Sequence, residues 1–325
     1  MNPLISVIMC TYNHSEYVQD AIESVVKQTY KDWELIIIDN GSTDDTQKIL
    51  QKYNDNPKVR IVSYEKNDFI TKRINEGVRL ANGDFISILY SDDYYLPEIF
   101  EKQIKCFGSL SHEWGVVHSP SFSFNVFTGE QKIQSCIPVS GYILKDIFTR
   151  YHEGFINPIT PLIRKECMER YPLYEDIFTE GEGLFHRIAM KYKFYYINEP
   201  LAVMRVHDRN MSFVSKRNAE MTIVVLDRLA KHPDFPKEYL PYLRALYSRI
   251  LRIYGWREVR LGSNTGFARK MFSESIRLDW KQFFHPITLA GEIMCLFSCE
   301  IRNKINLRIN SLFGKKKIIH LEDYK

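Results

Sequence analysis

The sequence predicts an α/β fold: a mostly parallel sheet flanked by helices, followed by a C-terminal helical region. In the first third of the chain, short apolar runs alternate with amphipathic stretches of helical length, which is typical of a doubly wound sheet. The run Phe85–Leu89 is apolar at nearly every position, as expected for a central strand covered on both faces. After residue 214 the pattern is helical, so we expect one domain at 1–214 and a helical region at 215–325.

The N-terminal elements follow from their apolar spacing and from the turn residues between them. In chain order we expect strands at Ile5–Thr11, Trp33–Asp39, Val59–Ser63 and Phe85–Leu89, with helices at 15–27, Thr43–Tyr53, Ile70–Ala81 and Pro97–Phe107. Ser15 is the expected N-cap of the first helix, because its hydroxyl can accept a hydrogen bond from a first-turn amide. Farther along we expect strand-like segments at 115–127, 194–197 and 201–206, a helix at 183–192, and a mixed, turn-rich stretch at 138–164.

The C-terminal region is predicted to contain several helices and no strand. Their expected bounds are Ala219–Lys231, Glu238–Glu258, Thr265–Leu278 and Ile287–Phe313. The last helix carries an apolar line with basic residues beside or beyond it, namely Met294, Phe297, Ile301, Ile305, Ile309 and Leu312 with Arg302, Lys304, Arg308 and Lys315–Lys317. Two interpretations remain open: the helix lies on an anionic membrane surface, or it packs on its own domain and the basic tail is solvated.

Composition and motifs argue against several classes of protein. The 325 residues are 45% hydrophobic and 26% charged, as in globular domains, and no apolar run reaches the ~18 residues of a membrane span. Six scattered cysteines and the lack of a signal-peptide pattern lead us to expect free thiols in a reducing cytoplasm. The net charge of +4 is concentrated near the C-terminus, so we expect no nucleic-acid partner. Without a G-x-G-x-x-G or Walker sequence, the usual dinucleotide and P-loop sites are not expected.

Polar residues follow three of the predicted strands, at the point where each strand ends. They are Thr11-Tyr12-Asn13, Asp39 and the pair Asp92-Asp93. The carboxyl ends of parallel strands share one edge of a sheet, where open α/β folds bind ligands. Asp39 could accept a hydrogen bond from a ring N–H of uracil, thymine or guanine, and Tyr12 could stack on the base. Asp92 and Asp93 could share a ribose hydroxyl and a divalent metal on a diphosphate. The alternative for this pair is a solvated turn, and the alternative for Asp39 is a carboxylate that faces a helix N-terminus.

Ordered motifs over about the first 210 residues resemble family 2 glycosyltransferases. They are Ser6–Asn13, Ala21–Val25 with Gln28–Tyr30, Trp33–Asp44, Asn75-x-Gly77, Ala81-x-Gly83-Asp84 and Ser91-Asp92-Asp93. The resemblance implies the GT-A type, Rossmann-like fold of nucleotide-diphospho-sugar transferases, and transfer of a sugar with inversion at its anomeric carbon. It also implies a nucleotide-diphospho-sugar as the donor and Mg²⁺ or Mn²⁺ as the cofactor.

The resemblance implies roles for residues at matching positions. Thr11 and Asp39 would hold the base, Asp92 the ribose region and Asp93 the metal. Arg205 and His207 match the region that closes over the diphosphate, where His207 would ligate the metal or touch a phosphate. Two positions depart from the family pattern: Tyr90 stands where an Asp is frequent, and Ile74 where an Arg is frequent. Metal binding would therefore depend on fewer carboxylates, and Lys72 or Arg73 would take over the phosphate contact. The alternative for His207 is an ordinary packed or surface side chain.

Inverting transfer also needs a general base that takes the proton of the acceptor hydroxyl. In the family this is usually the Asp of a Glu-Asp pair shortly before an Arg-bearing helix, and the matching segment here is Thr179–Ala189. Glu180 falls on the family's Glu, but Gly181 occupies the position of the base. Glu182 or Glu180 is expected to act instead, with Glu182 preferred. The alternative is that both acids only precede the helix, where its dipole favours them.

The leading hypothesis is an inverting, metal-dependent glycosyltransferase that uses a UDP-sugar or a similar donor. Its acceptor would be a hydroxyl of a surface glycan or a lipid-linked saccharide, and its basic C-terminus would suit the inner face of the plasma membrane. Two alternatives remain. A nucleotidyltransferase that makes nucleotide-sugars would carry a glycine-rich basic loop after the first strand, and none is present. A non-catalytic nucleotide-sugar binding module would account for the missing base at Gly181.

Overall fold

The computed structural model describes residues 2–210, 215–261 and 264–313 of the chain. The chain divides into two compact units. The N-terminal unit comprises Met1–Ile147 and Glu153–Asn210, and the C-terminal unit comprises Phe148–His152 and Met211–Lys325. The short segment Phe148–His152 thus leaves the first unit and belongs to the second. No pattern in the sequence indicated this excursion.

Eleven strands and twelve α-helices are found in the described ranges. The strands are β1 Ile5–Thr11, β2 Trp33–Asp39, β3 Val59–Ser63, β4 Phe85–Tyr90, β5 Tyr94–Tyr95, β6 Trp114–His118, β7 Ser121–Asn125, β8 Gln131–Gln134, β9 Leu162–Arg164, β10 Lys193–Tyr196 and β11 Ala202–Val206. The α-helices are α1 Val18–Val26, α2 Thr46–Gln51, α3 Ile70–Leu80, α4 Ile99–Phe107, α5 Leu144–Thr149, α6 Lys165–Arg170, α7 Gly183–Ile188, α8 Ser215–Lys231, α9 Leu240–Leu261, α10 Thr265–Leu278, α11 Pro286–Met294 and α12 Cys299–Phe313. Short 3₁₀ helices lie at Tyr151–Glu153, Lys237–Tyr239 and Trp280–Phe284.

Seven strands of the N-terminal unit form one sheet in the order β10-β6-β9-β4-β1-β2-β3. All neighbouring pairs are parallel except those that β9 makes with β4 and β6. The central strand β1 is buried over its whole length, because helices cover both of its faces. Val7 and Met9 pack in the cluster that contains the apolar face of α1, whereas Ile8 contacts Gly77 of α3. The predicted fold class, a mostly parallel sheet flanked by helices, is confirmed.

A second, smaller sheet has the order β5-β11-β7-β8. In it β11 lies antiparallel to β5 and parallel to β7. Because β5 follows Asp93 directly, this pairing carries the end of β11 to the acidic pair. The stretch 115–127, expected as one strand-like segment, instead forms β6 and β7 in different sheets, since the chain leaves the first sheet at Ser119-Pro120.

One local expectation is wrong, and one region contains more structure than its pattern indicated. The first helix begins at Val18 rather than at Ser15, and Tyr17 precedes it without a side-chain cap. The backbone N–H of Ser15 donates to Asp44 (3.0 Å), so Ser15 belongs to a turn that is fixed by the loop after β2. The mixed stretch 138–164 contains α5, a 3₁₀ helix and β9, each of six residues or fewer.

The C-terminal unit is helical in its described part after residue 215, as expected. Its last segment forms two helices rather than one, since α11 ends at Met294 and α12 begins at Cys299. The expected apolar line is divided accordingly: Met294 and Ile305 pack in an apolar cluster of this unit, whereas Phe297 and Ile301 are exposed. The prediction of a single amphipathic face along the whole segment is therefore wrong.

Some of the predicted features of the C-terminus lie outside the described residues. These are the side chains of Ile309 and Leu312 and the run Lys315–Lys317. Within the described ranges, no helix combines the length and the apolarity needed to cross a membrane.

Candidate active site

The carboxyl ends of β1, β2 and β4 meet at one edge of the large sheet. In the parallel register, Thr11 lies opposite Asp39, and Tyr90 lies opposite Cys10. The pair Asp92-Asp93 follows β4 almost immediately. The topology therefore brings together residues that the sequence analysis assigned to a nucleotide site, as expected for the carboxyl edge of a parallel sheet.

Thr11 and Asp39 differ in how their polar atoms are used. Asp39 is fully buried; its Oδ1 accepts a hydrogen bond from the Ser42 N–H (3.1 Å), and its Oδ2 accepts one from Gln47 Nε2 (2.9 Å). These bonds orient the carboxylate and leave further acceptor capacity on each oxygen. The Thr11 hydroxyl is also buried, yet it has no hydrogen-bond partner within the described residues. A buried hydroxyl without a partner is costly, so a ligand group that bonds to Thr11 would remove that cost.

The loop after β1 is braced against the loop after β2 by Asn13. This residue adopts a left-handed backbone conformation (φ 55°), which Asn tolerates better than most residues. Its N–H donates to Ser42 Oγ (2.9 Å), and its side-chain oxygen accepts the Thr43 N–H (2.7 Å). Asn13 therefore positions the two loops. The neighbouring Tyr12 side chain is 42% exposed and is accessible to a planar ligand.

The end of β11 holds the acidic pair through Arg205. Asp93 is buried, and its Oδ1 accepts the Arg205 backbone N–H (2.9 Å). The Arg205 guanidinium donates from Nη1 to the Asp92 backbone oxygen (3.1 Å) and from Nη2 to Asp20 Oδ2 (2.5 Å). Arg205, expected to contact the diphosphate, is thus 9% exposed and ties β11 to α1. Its bonds position the acidic pair.

The Asp92 side chain is bound by two residues beyond β11. His207 Nε2 lies 3.1 Å and Asn210 Nδ2 lies 3.3 Å from Asp92 Oδ2. His207 Nδ1 accepts the Arg209 N–H (3.2 Å), which assigns the ring proton to Nε2, where it faces Asp92. The His207 ring is buried and stacks on Tyr17 with centroids 4.7 Å apart. Metal ligation through Nε2 would replace the contact with Asp92.

The two neighbouring carboxyl groups titrate differently. Burial, followed by the charge of Asp92, raises the pKa of Asp93 well above its ordinary value. Burial alone would also raise the pKa of Asp92, but the His207 hydrogen bond and the nearby His14 outweigh it and lower that pKa. Two adjacent buried carboxyl groups repel each other when both are charged, so an added cation would favour full ionisation of the pair.

The donor set at the acidic pair fits a hard divalent cation in part. Asp93 uses Oδ1 for its protein hydrogen bond, and Oδ2 has no such partner within the ranges that the structure describes. Those ranges contain no cluster of three or more His, Cys, Asp or Glu side chains arranged around a metal position. Mg²⁺ is commonly bound by one or two carboxylates together with substrate phosphates and water. Asp92 and Asp93 could supply such carboxylates, with a diphosphate completing the coordination.

His14 belongs to this cluster, and the sequence analysis missed it. Its Nδ1 is hydrogen-bonded to Ser91 Oγ at 2.8 Å, and its ring lies edge-on to His207 with centroids 6.1 Å apart. Burial is the main reason why the pKa of His14 is lowered, so the neutral form of its ring is favoured. The available signal was its place directly after Thr11-Tyr12-Asn13, at the end of β1.

Arg73 and Lys72 lie near the start of α3 and differ in exposure. The Arg73 side chain is 11% exposed, donates from Nε to Asn40 Oδ1 (2.9 Å) and lies 3.3 Å above the Tyr64 ring. Asn40 follows Asp39, so the Arg73 charge is fixed beside the binding edge. Lys72 is 46% exposed in a surface ion pair, which stabilises by only about 0–1 kcal/mol and is readily exchanged for a ligand.

The structure separates the two candidate bases, Glu180 and Glu182. The Glu180 side chain is fully buried, and both of its oxygens accept hydrogen bonds from Arg187 (2.7 Å each), with a further one from the Tyr174 N–H (3.0 Å). Protonation of Glu180 would break this buried ion pair. Glu182 stands at the N-terminus of α7 with its side chain 23% exposed. Between them Gly181 has φ 56°, and a Cβ there would meet nothing within 4 Å.

A small, partly open cleft adjoins this segment. Tyr90, Glu180 and Gly181 all line it, so the end of β4 and the segment of the candidate bases share one cavity. Its walls are otherwise mostly apolar and include Ile70, Ile74, Ile88, Leu184 and Phe185.

Two solved structures illustrate the class of protein that this fold defines. S. aureus TarS 1–349, in complex with UDP-GlcNAc, superposes with a TM-score of 0.59 at 16% identity, covering 86% of this chain and 92% of that chain. The mannosyltransferase PcManGT from Pyrobaculum calidifontis, in complex with GDP-Man and Mn²⁺, gives a TM-score of 0.59 at 15% identity, covering 97% and 89%. The chain has the GT-A fold.

The sequence comparisons establish the family. The pattern of the family described as Glycosyl transferase family 2 matches residues 6–171. Bacillus subtilis TuaG, a glycosyltransferase whose name assigns it to teichuronic acid biosynthesis, is 34% identical over 227 residues, which are 68% of this chain and 86% of that protein. Escherichia coli chondroitin synthase is 44% identical over 100 residues, which are 30% of this chain and 14% of that protein. The chain belongs to glycosyl transferase family 2 and is a glycosyltransferase, as the motifs predicted.

Replacement of Glu180 by Gln is expected to destabilise the protein. The change leaves the buried Arg187 guanidinium without its carboxylate, so the free energy of unfolding should fall by about 3–5 kcal/mol. The control Glu182→Gln, at a partly exposed position, should change it by no more than about 0.5 kcal/mol. Chemical denaturation of both variants beside the wild type measures the difference. Equal stability of Glu180→Gln and the wild type would contradict a structural role for this ion pair.

Proposed function

We propose that this protein is an inverting, metal-dependent glycosyltransferase that takes its sugar from a UDP-sugar. The observation that carries the proposal is the convergence of Thr11, Asp39 and the pair Asp92-Asp93 at one sheet edge. Thr11 offers a buried hydroxyl that lacks a partner in the described chain, and Asp39 offers an oriented acceptor. The nucleotide-sugars bound by two proteins of the same fold support this class of donor.

Uracil is the proposed base because of the way Asp39 is already used. Each oxygen of Asp39 accepts one protein hydrogen bond, from Ser42 and from Gln47. Uracil presents a single ring N–H to an acceptor, whereas guanine presents a ring N–H and an amino group side by side. The single donor of uracil fits the remaining acceptor capacity of Asp39 better than the two donors of guanine do. The exposed Tyr12 would stack on the base.

The pair Asp92-Asp93 would hold Mg²⁺ or Mn²⁺ against the diphosphate. The metal would act as a Lewis acid that stabilises the charge developing on the leaving diphosphate. Arg205 and His207 would keep the two carboxylates oriented through their observed contacts, and His207 remains a candidate ligand at the cost of its bond to Asp92. Arg73 and Lys72 would place positive charge near the phosphates.

Glu182 would act as the general base. The acceptor oxygen would attack the anomeric carbon on the face opposite the diphosphate, so the new C–O bond forms as the bond to the diphosphate breaks. The acceptor proton would pass to Glu182. Glu180 is the poorer candidate because both of its oxygens accept hydrogen bonds from Arg187. Through that ion pair Glu180 would position the segment around Gly181.

The acceptor would be a hydroxyl of a growing surface glycan or of a lipid-linked saccharide. Two relatives are named for polysaccharide synthesis, one for teichuronic acid and one for chondroitin, which supports a role in polysaccharide biosynthesis. We place the reaction on the cytoplasmic side, in peripheral contact with the inner face of the plasma membrane. A lipid-linked acceptor would be met there.

Replacement of Thr11 by Val is expected to weaken UDP binding without loss of stability. The variant removes a hydroxyl that has no partner among the residues that the structure describes, so UDP affinity should fall about 2- to 10-fold while the free energy of unfolding stays equal or rises. Thr160→Val is the matched control, since the buried Thr160 hydroxyl donates to the Ser119 carbonyl (2.8 Å). That variant should lose stability and keep its UDP affinity. Calorimetric titration and denaturation test both; unchanged UDP affinity in Thr11→Val would remove Thr11 from the site.

Replacement of Asp93 by Asn is expected to abolish the effect of a divalent cation on UDP binding. In the wild type Mn²⁺ should tighten UDP binding, because it neutralises the acidic pair and bridges to the diphosphate. Without metal, Asp93→Asn and the wild type should bind UDP with similar affinity. The exposed Asp45→Asn serves as the control and should keep the full effect of Mn²⁺. The assignment of Asp93 fails if its variant retains that effect.

Replacement of Glu182 by Gln is expected to stop transfer and to spare binding. A panel of nucleotide-sugars first identifies a donor that the wild type hydrolyses or transfers. With that donor, turnover should fall by about 10²–10⁴-fold while UDP affinity and its response to Mn²⁺ persist. The exposed Glu113→Gln should behave as the wild type. Normal turnover in Glu182→Gln would reject this base, and a wild type that binds donors without turning any over would favour the non-catalytic module.

A further inference from the structure

The C-terminal unit exposes a concentration of large apolar side chains. Eight of them lie between Trp280 and Ile301 and are 39–72% exposed: Trp280, Phe283, Phe284, Leu289, Ile293, Leu296, Phe297 and Ile301. The rest of the described chain has six such side chains, scattered from Tyr12 to Leu307. Single exposed apolar residues are ordinary, but a concentration of this kind marks an interaction surface.

Five of these side chains come from two consecutive elements, and a sixth, Leu296, follows the second of them. In the 3₁₀ helix Trp280–Phe284, the Phe284 ring contacts the Trp280 ring (centroids 6.2 Å apart) and the Phe283 ring (5.2 Å). The next element is α11, where Leu289 and Ile293 are one turn apart and share the exposed face. We call Trp280, Phe283, Phe284, Leu289, Ile293 and Leu296 the apolar patch.

The packing of α11 keeps this patch exposed. The opposite face of the helix, with Thr288, Gly291 and Met294, is buried in the unit. The contact is close, because a Cβ at Gly291 would lie 2.2 Å from the Phe272 ring. The helix therefore cannot rotate to hide Leu289 and Ile293 without losing this contact. The same packing divides the apolar line from Met294 to Leu312 that was expected as a membrane face. That line includes only part of the exposed apolar surface.

Charge distinguishes the two parts of the chain. Residues 215–325 contain 21 Lys and Arg against 11 Asp and Glu, a net charge of +10, whereas residues 1–214 contain 23 against 29, a net charge of −6. The apolar patch thus belongs to a strongly basic region. The basic excess lies outside the patch itself, since residues 280–301 contain only Lys281 against Glu292 and Glu300. Exposed aromatic side chains in a basic region are typical of proteins that bind anionic lipid surfaces.

We propose that the apolar patch docks this protein on anionic lipid bilayers. The aromatic rings of Trp280, Phe283 and Phe284 enter the boundary between head groups and acyl chains, and the net positive charge of residues 215–325 attracts the anionic lipids. A second copy of the chain is a poorer match, because two regions of net charge +10 repel each other across a symmetric contact. The proposal deepens the proposed function, since a lipid-linked acceptor would be met at such a surface. Docking itself requires neither nucleotide nor metal.

The test uses the full chain and vesicles of phosphatidylcholine with or without phosphatidylglycerol. The wild type should sediment with the anionic vesicles, less so at high salt, and only weakly with pure phosphatidylcholine. The double variant Phe283→Ser, Phe284→Ser should bind the anionic vesicles at least about tenfold more weakly, because both rings contribute burial in the bilayer. The control Phe127→Ser, Tyr142→Ser changes side chains that are 71% and 59% exposed in the N-terminal unit, and should bind as the wild type does.

Fluorescence gives a second readout that does not depend on variants of the patch phenylalanines. Trp280 is 67% exposed, whereas Trp33 is 5% exposed, so brominated anionic lipids should quench the wild type and quench Trp280→Phe much less. Equal sedimentation of the patch variant and the control, or no quenching at Trp280, would overturn the proposal. The proposal would also be overturned if the wild type did not bind vesicles and instead self-associated in a way that the patch variant abolishes. If the protein binds vesicles but does not bind UDP, the proposed function is rejected and the docking proposal is retained.

Discussion

The mutual repulsion of two adjacent carboxylates, Asp92 and Asp93, is the constraint on which the carboxyl edge of the large sheet depends. Both are largely enclosed, and such a pair is stable only where donors compensate its charge. The compensation comes from β11, whose backbone N–H at Arg205 bonds to Asp93 and whose continuation places His207 on Asp92. The small sheet, which pairs β11 with β5 directly after the acidic pair, supplies this arrangement. The fold around this edge thus holds the two carboxyl groups side by side.

The elements that could be predicted are those with a long local pattern. The strands β1, β2 and β3 have the predicted bounds, because each is an apolar run that ends in turn residues. The strands β5 and β9 contain two and three residues, too few for any periodicity to appear, and both exist only through pairing with distant strands. The boundary between β6 and β7 could not be predicted for a related reason. Both segments are strand-like, and they are separated only where the chain leaves the large sheet at Ser119-Pro120.

The site was predictable to the extent that strand ends reveal it. Thr11, Asp39 and the acidic pair could be located from the sequence, since parallel strands share a carboxyl edge. The contacts between distant residues could not: Arg205 meets Asp20 across 185 positions, and His14 meets Ser91 across 77. The choice between Glu180 and Glu182 could not be predicted either, because Arg187 lies on α7 whereas Glu180 lies in the loop before it, so no helical spacing indicates their ion pair.

The charge balance around the sheet edge gives an independent reason for a divalent cation. Residues 1–214 carry a net charge of −6, and they are proposed to bind a diphosphate that is itself strongly negative. The nearby guanidinium groups are already engaged, Arg205 with Asp20 and Arg73 with Asn40 and the Tyr64 ring. The surface residue Lys72 adds one mobile charge, which is insufficient to offset a diphosphate beside the acidic pair. A doubly charged ion between the carboxylates and the phosphates would neutralise the acidic pair, so it would remove the repulsion between the anionic donor and the acidic edge.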